Sequence, residues 1–338
     1  MANPTLRDVA TTAGVHAATA SRALNPKTRG LVNAETAKRV IRVAESLGYR
    51  PNPIARSLKT AKSATIGVVI PDLTNPIFPP IMRGIEDALG SSDYNPWIVN
   101  TDNDFAREEL LVDSLRNLQV EGFIFATARR QHPLLARLRE NDVRMVLVNR
   151  KVDGIGIPTV TADDAAGVIQ VVHHLAELGH TRIAFLGGPL STSSGYVRKV
   201  AFRQAMSDSG LDYDPAIVTD CEAWAEDAGA VGAARLLDGA APFTAVVAGN
   251  DLIALGVYDE LRARGLRCPE DLSIVGFNDM AFIDKLDPPL TTVRVPLYEI
   301  GTEAARAILE LIDEPGRPIR SVLLPVKLVV RGSTAPRR

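Results

Sequence analysis

Thr5-Leu6-Arg7-Asp8-Val9-Ala10-Thr11-Thr12-Ala13-Gly14-Val15-His16-Ala17-Ala18-Thr19-Ala20-Ser21-Arg22-Ala23-Leu24 is the stretch on which the reading of this chain turns. Thr5 followed three positions later by Asp8 is a capping-box pattern, and Leu6, Val9, Ala10 and Ala13 fall on one helical face. Gly14 ends that helix, and the small-residue run from His16 to Leu24 predicts a second one, stopped by Asn25-Pro26. Two short helices around a glycine turn form a helix-turn-helix. A third helix is signalled by Asn33 as cap, by an apolar stripe of Ala37, Val40, Ile41, Ala44 and Leu47 that can cover the first two, and by Gly48 as its stop.

Working outward, charge separates this head from the rest. Residues 1–62 hold 11 Lys and Arg against 3 Asp and Glu, while the remainder holds 27 against 37, so the net charge of −2 averages a basic head and an acidic body. A basic block at one end favours nucleic acid, because neutralised phosphates release counterions. It is equally compatible with a solvated surface, so motifs must decide. The 338 residues, 46% of them hydrophobic, suffice for two or three packed units. Two cysteines, no apolar leader and no apolar run of bilayer length point to a soluble, cytoplasmic protein without a membrane role.

After the third helix, Arg50-Pro51-Asn52-Pro53-Ile54-Ala55-Arg56-Ser57-Leu58-Lys59 has too little apolar surface to be stable alone and reads as a linker that folds on contact. From Thr65 the texture changes to short hydrophobic runs separated by helical patterns: Ile66 to Ile70, Trp97 to Asn100, Gly122 to Phe125 and Met145 to Val148. After Asp163 it restarts with Arg182 to Leu186, Ala245 to Ala248 and Ser273 to Phe277. Strands alternating with helices imply βαβ units, and near-continuous hydrophobic strands imply burial on both faces. The fold class expected is therefore an α helix-turn-helix head on an α/β body of two doubly wound parallel-sheet lobes. Ligands of such sheets bind beyond the carboxyl ends of the strands, here Pro71-Asp72, Asn149-Arg150, Asn250-Asp251 and Asn278-Asp279.

These residues resemble the lac repressor family of bacterial regulators. The likeness is carried by Asp8-Val9-Ala10, Ala13-Gly14-Val15, Thr19, Ser21-Arg22, Gly48-Tyr49-Arg50-Pro51-Asn52, Asn75-Pro76, His174-Leu175, Gly179-His180, Gly249-Asn250-Asp251, Val275-Gly276-Phe277-Asn278-Asp279 and Pro289-Leu290-Thr291-Thr292. It implies a homodimer on a double-stranded operator, a second helix in the major groove, a hinge helix that orders on DNA and a body similar to periplasmic sugar-binding proteins. The expected divisions are a head over 1–49, a hinge over 50–62 and a body over 63–338. Within the body, an N-lobe takes about 63–162 and 292–322, and a C-lobe about 163–291 and 323–338.

For DNA, Ala17, Ala18 and Arg22 are placed to meet base edges, and Thr5, His16, Thr19, Ser21 and Asn25 to meet phosphates. Ala17 and Ala18 have the alternative role of plain helix formers. His16 stands where the family has a hydroxyl residue, so that cap is weaker or made differently. The resemblance adds Tyr49, Asn52, Ala55 and Leu58, the last as an apolar wedge in the minor groove or as ordinary hinge packing.

For the effector, the resemblance implies contacts from Asp72, Phe78, Asn149, Arg150, Asp163, Tyr196, Arg198, Trp224, Asn250 and Asn278. Trp224 either stacks on a sugar ring or anchors the core. Asn149 replaces an Asp common in sugar-binding members and Tyr196 replaces an Arg, so the sugar clamp is incomplete. Arg150 and Arg198 could instead receive a carboxylate or phosphate. A sugar or polyol therefore comes first and an acidic metabolite second. His173-His174, Gly154-Ile155-Gly156 and Gly187-Gly188 lack the further residues of a metal, dinucleotide or phosphate site, and no catalytic constellation is present. No enzyme activity, cofactor or metal is expected.

Overall fold

The computed structural model describes residues 4–26, 28–50, 63–316, 318 and 320–337. Residues 51–62, with most of the expected hinge, lie outside the described residues. The chain divides into two compact units, 1–63 and 64–338.

The first unit is a small helical body of α1 (Leu6–Thr12), α2 (Ala17–Leu24) and α3 (Ala34–Leu47). The capping box forms: the Thr5 hydroxyl accepts from the Asp8 amide at 3.3 Å, and the Asp8 carboxylate accepts from the Thr5 amide at 2.8 Å. Those hydrogen bonds hold the Asp8 carboxyl below its usual pKa. Gly14, at φ +63°, makes the turn, and Gly48, at φ +66°, ends α3. The core is Val9, Ala10, Ala13, Ala20, Ala23, Ala37, Val40 and Ala44. Five of these are not merely small but are alanines on facing helices, which lets short helices approach closely. Leu47, counted in the α3 stripe, is 38% exposed, because α3 with its 14 residues outruns the 7 and 8 of the helices it covers.

The second unit holds two six-stranded sheets. The first consists of β1 (Thr65–Ile70), β2 (Asn95–Asn100), β3 (Gly122–Phe125), β4 (Met145–Val148), β5 (Thr159–Ala162) and β11 (Val322–Leu324), in the order β11-β5-β4-β3-β1-β2, all parallel. Ile66, Val68 and Ile70 point to one face, under α4 (Phe78–Gly90) and α11 (Leu297–Asp313); Val69, Phe123 and Phe125 point to the other, under α5 (Phe105–Asn117) and α6 (Pro133–Glu140). α4 and α11 touch backbone to backbone: a Cβ on Gly84 would stand 2.1 Å from Tyr298 O, and one on Gly301 2.0 Å from Ile81 O.

The second sheet consists of β6 (Ile183–Gly187), β7 (Val218–Asp220), β8 (Ala245–Ala248), β9 (Ser273–Asn278), β10 (Thr291–Arg294) and β12 (Lys327–Val329), in the order β12-β10-β9-β8-β6-β7. Only the β10–β12 pair in it is antiparallel. Its helices are α7 (Asp164–Glu177), α8 (Ser193–Asp208), α9 (Glu226–Asp238) and α10 (Asp251–Ala263). The chain passes between lobes three times. The second and third passages fall between Arg294 and Leu297 and between Leu324 and Lys327, a few residues past the expected 292 and 322, because β10 completes its pairing with β9, and β11 with β5, before the chain leaves. The C-terminal segment is stitched to the second lobe: buried Ser333 donates to Ile274 O at 2.6 Å, and His180 bridges Thr244 Oγ1 at 2.8 Å and Ala335 O at 3.0 Å.

Candidate nucleic-acid interface and effector cleft

On α2 the pattern of burial assigns faces. Ala20 and Ala23 are fully buried, Ala17, Thr19, Ser21 and Asn25 are half-buried, and Ala18 and Arg22 are exposed one turn apart. The Arg22 side chain has no hydrogen bond or ion pair among the described residues. His16 caps α2 in place of a hydroxyl: its Nδ1 accepts from the Ala18 amide at 3.2 Å, which leaves Nε2 pointing away from the cap. Thr5 is exposed, with its hydroxyl engaged by Asp8. Tyr49 packs against the head's core, and burial pushes its pKa up. Of the sequence-derived DNA candidates, Asn52, Ala55 and Leu58 lie outside the described residues.

In the body, the ends of the central strands gather most of the effector candidates. Arg198 on α8 is buried, with Nε and Nη2 donating to Asp164 Oδ1 at 2.9 and 2.7 Å and Nη1 to Gly249 O at 2.6 Å. Its guanidinium lies 3.6 Å above the Phe277 ring and 5.6 Å from the Trp224 ring. Burial pushes the Asp164 carboxyl up against the pull of Arg198. Trp224 lies flat over Gly188, where a Cβ would stand 2.3 Å from the ring, and its indole Nε1–H is enclosed with no acceptor among the described residues.

Arg150, at the exit of β4, is only 7% exposed, and its side chain has no hydrogen bond or ion pair among the described residues; its Nε is enclosed without an acceptor. Burial, and then the charges of Arg129 and Arg198, lower its pKa to about 10, so it stays cationic at neutral pH. Three amides stand at strand ends, Asn149 after β4 in the first sheet, and Asn250 after β8 and Asn278 closing β9 in the second. Asn149 and Asn278, both at positive φ, make no side-chain hydrogen bond among the described residues, and Asn250 accepts from the Ile253 amide at 2.8 Å while its NH2 has no partner there.

The remaining candidates are placed differently. Asp163 caps α7 by accepting from the Ala166 amide at 3.0 Å, and it is the next residue, Asp164, that holds Arg198. Asp72 is spent on a local turn, accepting from the Thr74 amide and hydroxyl at 2.8 and 2.6 Å. Phe78 is 1% exposed in the core under α4. Tyr196 is 42% exposed, and its ring is covered by Arg130 of the other lobe at 3.8 Å. Two positions from Arg198 on a helix, it faces nearly the opposite way and sits at the rim. There the Arg130 amide also donates to Ser191 O at 2.8 Å and the Lys151 amide to Ser193 Oγ at 2.9 Å, tying the lobes together.

Sequence reasoning missed Asp164, Arg129, Arg130 and Gly188. The Asp163-Asp164 doublet at a helix start was the one available signal, since a single residue suffices for the cap. His174 bonds to Thr334 Oγ1 at 3.0 Å and His173 is exposed. No helix among the described residues is long and apolar enough to cross a membrane.

Residues 5–52 match the model of bacterial regulatory proteins of the lacI family, and residues 172–334 match that of a periplasmic binding protein-like domain. The transcriptional regulator RegA of Clostridium saccharobutylicum is 34% identical, over 97% of this chain and 98% of its own. The transcriptional repressor CytR of Escherichia coli K12 is 34% identical, over 98% and 96%. The chain belongs to the lacI family of bacterial regulators.

Members of the lacI family are transcriptional regulators, not enzymes, and this member's helix-turn-helix is its DNA-binding element. The lac repressor dimer bound to operator and an anti-inducer superposes with a TM-score of 0.87 at 26% identity, covering 99% of this chain and all of that one. The CelR regulator in complex with cellobiose gives 0.76 at 30% identity, covering 98% and 99%.

Proposed function

We propose that this lacI-family regulator is a cytoplasmic repressor that binds a palindromic operator as a homodimer, under control of a sugar-like small molecule seated between its lobes. The observation that carries the reading is the exposed Ala18–Arg22 stripe on α2, the second helix of a basic head. A guanidinium there can fork onto guanine N7 and O6, and a methyl side chain can meet a thymine methyl. Thr5, His16, Thr19, Ser21, Asn25 and Tyr49 suit phosphate contacts that set the register of the helix in the groove. Asn52, Ala55 and Leu58 complete the set from the hinge, with Leu58 as the wedge that kinks the duplex.

The effector set is Arg150, Arg198, Trp224, Asn149, Asn250 and Asn278, with Asp72, Phe78 and Asp163 around it and Tyr196 at the mouth. Sugar-like chemistry is supported by the family's body fold and by the cellobiose bound to CelR. Control requires only a few kcal/mol of differential affinity between two lobe arrangements. The test is selection of bound fragments from the source genome with purified protein, followed by challenge of the complex with metabolites of neighbouring genes. A palindromic consensus whose complex responds to one such metabolite is expected; enriched fragments without any palindrome would defeat the two-headed reading.

A further inference from the structure

We infer that the effector is an anionic sugar derivative, whose carboxylate or phosphate closes on Arg150. This rests on the reading of the cleft as the effector site and adds the chemical class of its occupant.

A guanidinium removed from water without a counter-ion is a costly arrangement, which proteins keep when a ligand supplies the missing charge. Arg150 is close to that state: the residue is 7% exposed, its Nε is enclosed, and its side chain has no hydrogen bond or ion pair among the described residues. Arg198 across the cleft shows what a settled buried guanidinium looks like here, with Asp164 and Gly249 O taking its protons and Phe277 under its face. The two charges felt by Arg150, from Arg129 and Arg198, are both positive.

Carboxylates at the strand ends are engaged elsewhere. Asp251 is buried against Thr292 Oγ1 and the Met280 amide, Asp279 is paired with Arg294 and Arg331, and Asp72 is in its own turn. What remains at the strand ends is amide, Asn149, Asn250 and Asn278, whose NH2 groups can donate to an anion without competing for the cation. A neutral sugar would give Arg150 hydroxyl acceptors and leave its charge unmet. A carboxylate or phosphate answers both needs, and the planar fork fits either. The enclosed Nε1–H of Trp224 asks for a further acceptor oxygen, which a sugar ring carries.

The experiment is calorimetric titration of the full-length protein with matched triplets: a sugar, its aldonate and its terminal phosphate, such as glucose, gluconate and glucose 6-phosphate, repeated for pentoses. Arg150→Met is titrated alongside, and the melting temperature of each ligand-free protein is measured. The tightest binder is expected to be an acid, and the aldonate and phosphate arms say which. Arg150→Met should weaken that acid by about a hundredfold or more, the usual scale for losing one partner of a buried charge pair. It should melt no lower than wild type without ligand, because an unmet charge has been replaced by a thioether of similar length.

A neutral sugar that binds as tightly as its acids, and keeps its affinity in Arg150→Met, would overturn the inference. So would a ligand-free Arg150→Met protein that melts several degrees lower, a result that decides the matter even if no triplet member binds. An operator selected by the same preparation and released by a neutral sugar refutes the anion while leaving the regulator reading intact. Failure to select any operator does the reverse.

Discussion

Arg22 and Arg150 carry the same guanidinium in opposite settings. Arg22 projects into water from a helix whose other face is packed by Ala20 and Ala23, and its lack of a protein partner costs nothing. Arg150 lacks a partner too, but it sits enclosed between two lobes with only positive charges acting on it. In the head, then, an unpaired cation fits a surface open to phosphates and base edges; in the body, it is the observation from which an anionic effector is inferred. Exposure decides which reading an unpaired arginine supports.

The largest effect that sharpens this contrast is expected at the paired arginine. Asp164→Ala strips Arg198 of its carboxylate, and breaking a buried pair by removing one partner costs about 3–5 kcal/mol. Denaturant unfolding of the body should record it, and a loss under about 1 kcal/mol would show that Arg198 does not depend on its partner. Next in size is Arg22→Ala, expected to weaken operator binding by about 1–3 kcal/mol and to relax preference at one base position, with the body's stability unchanged. Equal weakening on all sequences, with a shallower salt slope, would reassign Arg22 to a phosphate.

The same contrast explains what could be read before the structure was known. The head's candidate interface lies mainly on one helix, so Ala17, Ala18 and Arg22 could be named together; that Ala17 packs against the core while Ala18 and Arg22 are exposed came only with the packing of the three helices. The central strands were equally legible: Gly122–Phe125, Met145–Val148 and Ala245–Ala248 stand as the hydrophobic runs predicted them. The strands β5, β7, β11 and β12 were not, being three or four residues long and only partly buried, and too short to stand out from the chain around them. The cleft lay between these cases. Its candidate positions were named from strand ends and the family resemblance, but its charge balance depends on Asp164, Arg198 and Gly249 meeting across 34 and 51 residues of chain, a pairing that no local pattern encodes. Tyr196 shows the same limit, since whether a residue two positions from Arg198 faces the cleft or its rim depends on how the helix is rolled.

A smaller effect places a pH response in the body. Burial lowers the pKa of His180, whose ring is held between Thr244 and the C-terminal segment, and it lowers that of His174 beside it. Each group has a folded-state pKa below the ordinary 6.5. Above 6.5 both states are neutral and nothing is gained or lost; as pH falls through 6.5 the unfolded chain takes up protons first, and stability declines until the folded-state values are passed. Unfolding measured between roughly pH 5 and pH 8 should show this decline, reduced in His180→Asn. An unchanged slope in the variant would place the dependence elsewhere.

The smallest expected effect returns to the head and asks how much of its order is local. His16 caps α2 through Nδ1 on the Ala18 amide, a ring nitrogen doing what Ser or Thr usually does. His16→Ala removes the acceptor and should cost about 1 kcal/mol, whereas His16→Ser, which keeps one, should cost less or slightly stabilise. Amide exchange at Ala18 in the full chain separates the two, being faster in the alanine variant and near wild type in the serine one. If both variants exchange like wild type, the start of α2 is fixed by Ala20 and Ala23 packing on α1 and α3. The recognition face would then be as dependent on tertiary packing as the cleft is, and the contrast between the two regions would narrow to solvent exposure alone.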